Sequence, residues 1–168
     1  MAFLATQLAA AAATLSWMLA EWTLRRTPTL LGMCSGALAG LVAVTPASGY
    51  VSPSSAVLIG VVAGAGCLWG ATGLKAWLGV DDSLDVFGVH AVGGLIGALL
   101  TGVLADPAIG GVQGSLAAQA VACAATLGYS AVATTAVLWL VGQLLRLRIT
   151  PEQEAAGLDW SQHAERLE

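Results

Sequence analysis

The fold class this sequence predicts is all-α, a membrane bundle of five spanning helices, and three observations predict it. Of the 168 residues 57% are hydrophobic and only 10% charged, with mean hydropathy +0.81, more apolar surface than a soluble domain of this length can bury. The apolar residues fall into five segments, about Ala2–Trp22, Leu30–Thr45, Ala56–Leu78, Val86–Leu104 and Ser115–Leu145. These runs are continuous rather than alternating, which excludes a transmembrane barrel. Finally, all six Lys and Arg residues fall on one side of a five-span count.

That charge asymmetry sets an expected orientation. Arg25 and Arg26 lie in the first loop, Lys75 in the third, and Arg146, Arg148 and Arg166 after the last span, while the second and fourth loops hold no basic residue. By the positive-inside rule the basic side is cytoplasmic, so the N-terminus is expected outside and the C-terminus inside an inner (plasma) membrane. The net charge of −4 comes mostly from loops and the last residues, and it points to no nucleic acid.

Taken in order, the first apolar run has no basic residue before it, so Met1 to Trp22 reads as a span rather than a signal peptide. The second run is short and is expected to borrow Thr29 and the Pro46 to Tyr50 region to complete a crossing. Gly32, Gly36 and Gly40 recur every fourth residue within it. Gly60 with Gly64 and Gly66 with Gly70 do the same in the third, and Gly93 with Gly97 in the fourth, a spacing that lets helix backbones approach closely. The fifth run, ~45 Å long at ~1.5 Å per residue, is expected to be tilted and peripheral. Trp22, Trp77 and Trp139 near span ends read as interface anchors, and the deeper Trp17 and Trp69 as packing residues. Cys34, Cys67 and Cys123 fit no zinc or disulfide spacing and read as small buried hydrophobes. No cofactor and no metal site is implied, and no nucleophile–base pair suggests an enzyme. Residues 1–148 are therefore read as the membrane domain and 149–168 as a cytoplasmic tail. In that tail Thr150, Pro151 and Gln153 form a capping-box helix start and Gly157 a stop.

The chemistry concentrates at His90, the only ionisable residue from Val86 to Leu104. A polar group at such depth ordinarily faces a partner helix or a water-filled path, so a place on a substrate pathway is the first reading. A second is that a neutral imidazole bonds a neighbouring helix and serves packing only. Asp82 and Asp85 precede it, and either can cap the helix. With Asp85 as cap, His90 lies roughly 7–8 Å into the helix; with Asp82, roughly 12 Å and closer to the midplane.

Three stretches carry a resemblance. They are Leu30 to Val51, with its glycine stripe followed by Thr45-Pro46-Ala47-Ser48-Gly49-Tyr50; Asp81-Asp82-Ser83-Leu84-Asp85-Val86-Phe87-Gly88-Val89-His90; and Gly157-Leu158-Asp159 with His163 and Glu165. Together they make the chain resemble the ammonium transporter family (Amt/Mep/Rh) from Met1 to Glu168. The resemblance implies an eleven-span fold built on two inverted five-helix repeats, of which these would be the last five spans. It also implies a homotrimer, ammonium or ammonia as substrate, and a tail able to meet a P-II signal protein. His90 matches the second histidine of the twin pair lining the ammonia path. The first histidine, the phenylalanine gate and most of the outer cation site have no counterpart here. Ala91 and Ala164 stand where the family more often has glycine, and Leu167 where an aromatic is common. Two functions follow as expectations: a transport polypeptide that needs the missing spans, or a non-conducting binding or regulatory fragment.

Overall fold

The computed structural model describes residues 1–163 and 165; Ala164, Arg166 and Leu167, used in the charge count and the family match, lie outside the described residues. All regular structure among the described residues is helical. Helix α1 spans Ala2–Arg25, α2 Leu30–Val44, α3 Pro53–Leu78, α4 Phe87–Leu104, α5 Pro107–Gly110, α6 Leu116–Leu144, α7 Pro151–Ala156 and α8 Leu158–His163. Four of them, α1, α3, α4 and α6, are long and apolar enough to cross a membrane.

The second segment ends earlier than expected. Thr29 is its N-cap, accepting from the Gly32 amide at 3.0 Å, but helix stops at Val44 and residues 45–50 form consecutive turns. Pro46 and Gly49 explain the stop, since neither favours continuing a helix. The result is a 15-residue helix, ~22 Å long, followed by a folded corner in which Ala47 and Val51 are buried.

The chain forms two compact units, one from Met1 to Ala124 and one that starts at Ala125. The first is organised on α1, which packs against both α2 and α3. Its buried residues are Ala5, Ala9, Ala13, Trp17 and Glu21, one every fourth position, so they form a single stripe along the helix. Glycines of the two neighbours close on that stripe. A methyl at Gly40 would stand 2.5 Å from the Ala9 carbonyl oxygen, and one at Gly64 2.5 Å from that of Ala13. Gly60 also faces the Ala9 carbonyl, and Gly36 that of Ala13, so each α1 carbonyl is enclosed from two sides. Because lipid tails are as apolar as the side chains, such backbone contact is what holds membrane helices together. The fourth helix joins through Gly97 against Ala43 and Gly66 against Ile96, and the start of α6 lies against Gly102 of α4.

Trp17 is buried as expected of a packing residue, whereas Trp69 is 57% exposed: it lies at the right depth but on the outer face of α3. Cys67 is buried, its Sγ 3.6 Å from the Val89 carbonyl oxygen, but Cys34 is exposed and Cys123 only half-buried. Spacing along a span gives depth; it does not give the face.

In α6, a 29-residue helix, no residue is buried. The second unit continues into the tail. There Thr150 accepts from the Gln153 amide at 3.3 Å and Gln153 accepts from the Thr150 amide at 3.1 Å, the reciprocal pair that the sequence spacing predicts. Gly157, with φ +89, ends that helix.

Candidate functional site

The site is built where α3 ends and α4 begins, and both helices are irregular there. Residues Gly70–Leu74 of α3 and Phe87–Ala91 of α4 each form a π-helical turn, and His90 lies in the second. The turns face each other: a methyl at Gly70 would meet the Gly88 carbonyl oxygen at 2.9 Å, and one at Gly88 the Ala71 amide at 2.5 Å. Wide turns of this kind occur mostly as single bulges inside α-helices, frequently at functional sites.

Between the helices the chain reverses through Gly79 (φ +62) and the run Val80 to Asp85. Asp82 folds back on the helix that follows. Its two carboxylate oxygens accept from the Val86 amide at 2.9 Å and the Phe87 amide at 2.8 Å. An anion at that place also complements the positive end of the helix. The helix itself starts only after Asp85, whose carbonyl accepts from the Val89 amide at 2.9 Å. Sequence reasoning treated the two acids as alternative caps, but they divide the work: Asp82 supplies the carboxylate, and Asp85 marks the start. His90 therefore lies at the shallower of the two depths, roughly 7–8 Å into the helix.

Asp85 takes a left-handed conformation, φ +55, and turns away from the His90 side. Its Oδ1 accepts from Lys75 Nζ at 2.5 Å, and the same ammonium donates to the Asp82 carbonyl oxygen at 3.0 Å. Lys75 was read from sequence as a loop charge that reports orientation. In the structure it belongs to α3 and ties the reversal together.

The candidate residues thus separate onto two surfaces. His90 and Asp82 share an open groove of about 460 Å³ whose other walls are Leu78, Val80, Val86, Phe87, Asp81 and Ala91. The imidazole is exposed in it, and among the described residues it has no hydrogen-bond partner. Asp85 instead lines a small cavity of about 80 Å³ with Trp17, Glu21, Arg25, Thr29 and Thr72. Glu21, only 2% exposed, is a polar residue that sequence reasoning passed over. It accepts from the Thr29 amide at 3.1 Å and hydroxyl at 3.2 Å and from Arg25 at 3.3 Å, which fastens the first loop. Its signal was visible: Glu21 continues the four-residue alanine stripe of α1.

Fold and groove define a polytopic helical membrane protein with a solitary histidine set at a helix start in an apolar groove. The comparisons with known proteins make this specific. The model of the Ammonium Transporter Family matches residues 1–167. An ammonium transporter of Bacillus subtilis is 41% identical over 98% of the chain, and the ammonium transporter MEP2 of Saccharomyces cerevisiae 37% identical over 96%. Among solved structures, Saccharomyces cerevisiae Mep2 superposes with a TM-score of 0.83 at 36% identity over 90% of the chain. A structure described as a sensor Amt protein superposes with 0.88 at 29% identity over 96%. The chain belongs to the ammonium transporter family. It spans 43% of the length of the Bacillus protein and 37% of the yeast structure's chain.

Proposed function

We propose that this chain supplies the C-terminal part of an ammonium transport pathway, in which His90 is the group that neutral ammonia meets and Asp82 holds the helix start beneath it. The observation that carries the proposal is the position of His90: the one imidazole of the membrane spans, exposed in an open groove with walls of Leu78, Val80, Val86 and Phe87. Asp81 and Asp82 also line this open groove and can meet a cation at its end, but once the groove is closed off from water a bare ammonium ion against the apolar walls is heavily penalised, whereas neutral ammonia is not. Deprotonation at the outer mouth followed by hydrogen bonding of ammonia to a neutral imidazole satisfies that constraint. No bond to the substrate is made or broken beyond the proton exchange, so the chain acts as a conduit and not as an enzyme.

In inverted-repeat transporters the pathway lies where two oppositely oriented halves meet. The groove is open; on this reading an opposing half closes it, and the remaining spans come from the same or a second polypeptide. In the intact architecture we expect a homotrimer in the plasma membrane, with residues 1–148 in the bilayer and 149–168 as a cytoplasmic tail. A second reading is a non-conducting binding or regulatory polypeptide whose tail meets a P-II signal protein. That reading would use the tail helices α7 and α8, the first of which opens on the reciprocal Thr150–Gln153 cap.

The experiment is growth of a transport-deficient strain on limiting ammonium, with the chain produced alone, with the missing spans, and with those spans plus His90→Ala. The proposal expects growth only in the second case. Growth that is unaffected by His90→Ala removes His90 from the pathway, and no growth in any case favours the regulatory reading.

A further inference from the structure

Lys75 directly follows the last residue of one π-turn, Gly70–Leu74, and reaches the segment that introduces the other. Its ammonium holds that segment at two points, the Asp82 carbonyl and the Asp85 carboxylate, both from a half-buried position. Asp82 in turn grips the first amides of the His90 helix with both carboxylate oxygens. Asp85 occupies a left-handed backbone conformation, uncommon for non-glycine residues but one that Asp adopts more readily than most, and it points the carboxylate to Lys75. The single group on Asp85's side chain in the hydrogen-bond pattern of the described residues is Lys75.

The geometry of a π-turn gives this strap a consequence. Such a turn accommodates one residue more than an α-helical turn, so relaxing it to α-helix rotates the chain on one side by about 100° relative to the other. His90 lies inside such a turn, and the facing turn in α3 sets where Lys75 emerges. The Gly70 and Gly88 backbones approach so closely that the two turns are in direct contact.

We propose that Lys75 is a positioning residue for His90: through its strap on Asp82 and Asp85 it fixes the start of α4 and the rotation that turns the imidazole into the groove. This rests on the reading of His90 as a pathway residue, and the test separates the two. The full chain carries two histidines, so a His163→Ala background leaves one imidazole to observe. Nitrogen NMR of that ring, in nanodiscs at a pH two units above an ordinary imidazole's ~6.5, reports tautomer and surroundings rather than titration.

Lys75→Met and Asp85→Asn, each removing the ion pair, are expected to shift the ring signals while helical content is unchanged. Lys75→Arg, which can still donate to both the Asp82 carbonyl and the Asp85 carboxylate, is expected to return them towards the parent positions. Ring signals unmoved in both disrupting variants overturn the proposal, and so does failure of Lys75→Arg to restore them. Should Lys75→Met not fold, Asp85→Asn and Lys75→Arg decide by the same criteria. In membranes that also hold the missing spans, Lys75→Met is expected to lower ammonium flux about ten-fold or more, with Lys75→Arg largely restoring it. Absence of flux in the parent assembly itself refutes the pathway reading, while the ring signals still decide the role of Lys75.

Discussion

Replacing Gly40 with alanine tests how the first unit is held together. The added methyl would lie 2.5 Å from the Ala9 carbonyl oxygen and 2.8 Å from both the Ala10 Cα and the Ala13 Cβ. Ordinary contact begins near 3.4 Å, so α1 and α2 must part by nearly 1 Å. They cannot do so freely, because Gly60 of α3 faces the same Ala9 carbonyl from the other side. Overpacking of this degree costs about 1–3 kcal/mol. Against it stands the gain of roughly 0.5–1 kcal/mol from removing a glycine from a helix interior. The comparison that isolates packing is therefore Gly128→Ala, where a methyl meets nothing within 4 Å and only the helix gain applies. Reversible unfolding in mixed micelles should find Gly40→Ala less stable than Gly128→Ala by about 1–3 kcal/mol, roughly 5- to 150-fold in the unfolding constant. Equal stability of the two variants would refute the claim that backbone contact along the α1 stripe holds the helices together.

Removing the Asp82 carboxylate with Asp82→Ala leaves the Val86 and Phe87 amides without their acceptors and should cost about 0.5–2 kcal/mol in the same assay, with Asp82→Asn milder. A loss as large for Ser83→Ala, whose side chain holds no helix amide, would show that the loop rather than the cap is being measured. In a cysteine-free background, single cysteines at Ser52 and Gly110 should react with an impermeant reagent from outside, and those at Arg26 and Glu154 should not. The reverse pattern would reject the orientation drawn from the basic residues.

The division into helices was legible because hydropathy reports burial in lipid, and it needs no knowledge of neighbours. The fourth segment, read as Val86–Leu104, is helix α4, Phe87–Leu104, and the fifth, read as Ser115–Leu145, is α6, Leu116–Leu144. The glycine spacings likewise marked real contacts, since Gly60, Gly64 and Gly97 each meet a neighbouring backbone. What hydropathy could not show is the direction of a side chain. Trp69 and Cys34 are exposed although their segments are apolar throughout, and the π-turns leave no mark in composition. The acids before His90 were visible as a pair, but their unequal roles depend on Asp85 adopting φ +55 and pairing with Lys75 across the reversal, a tertiary contact that composition does not show. Lys75 was counted as a charge because a sequence gives its sign and not its reach.

The central claim is that these helices carry only part of a pathway, open along the groove that holds His90. Its most direct test is internal pH in liposomes containing the purified chain, followed after an ammonium pulse, with His90→Ala as the control. The account predicts a response no larger than that of empty liposomes for both proteins. An ammonium-dependent response above that background which disappears with His90→Ala would contradict it, because the groove would then be closed by these spans alone.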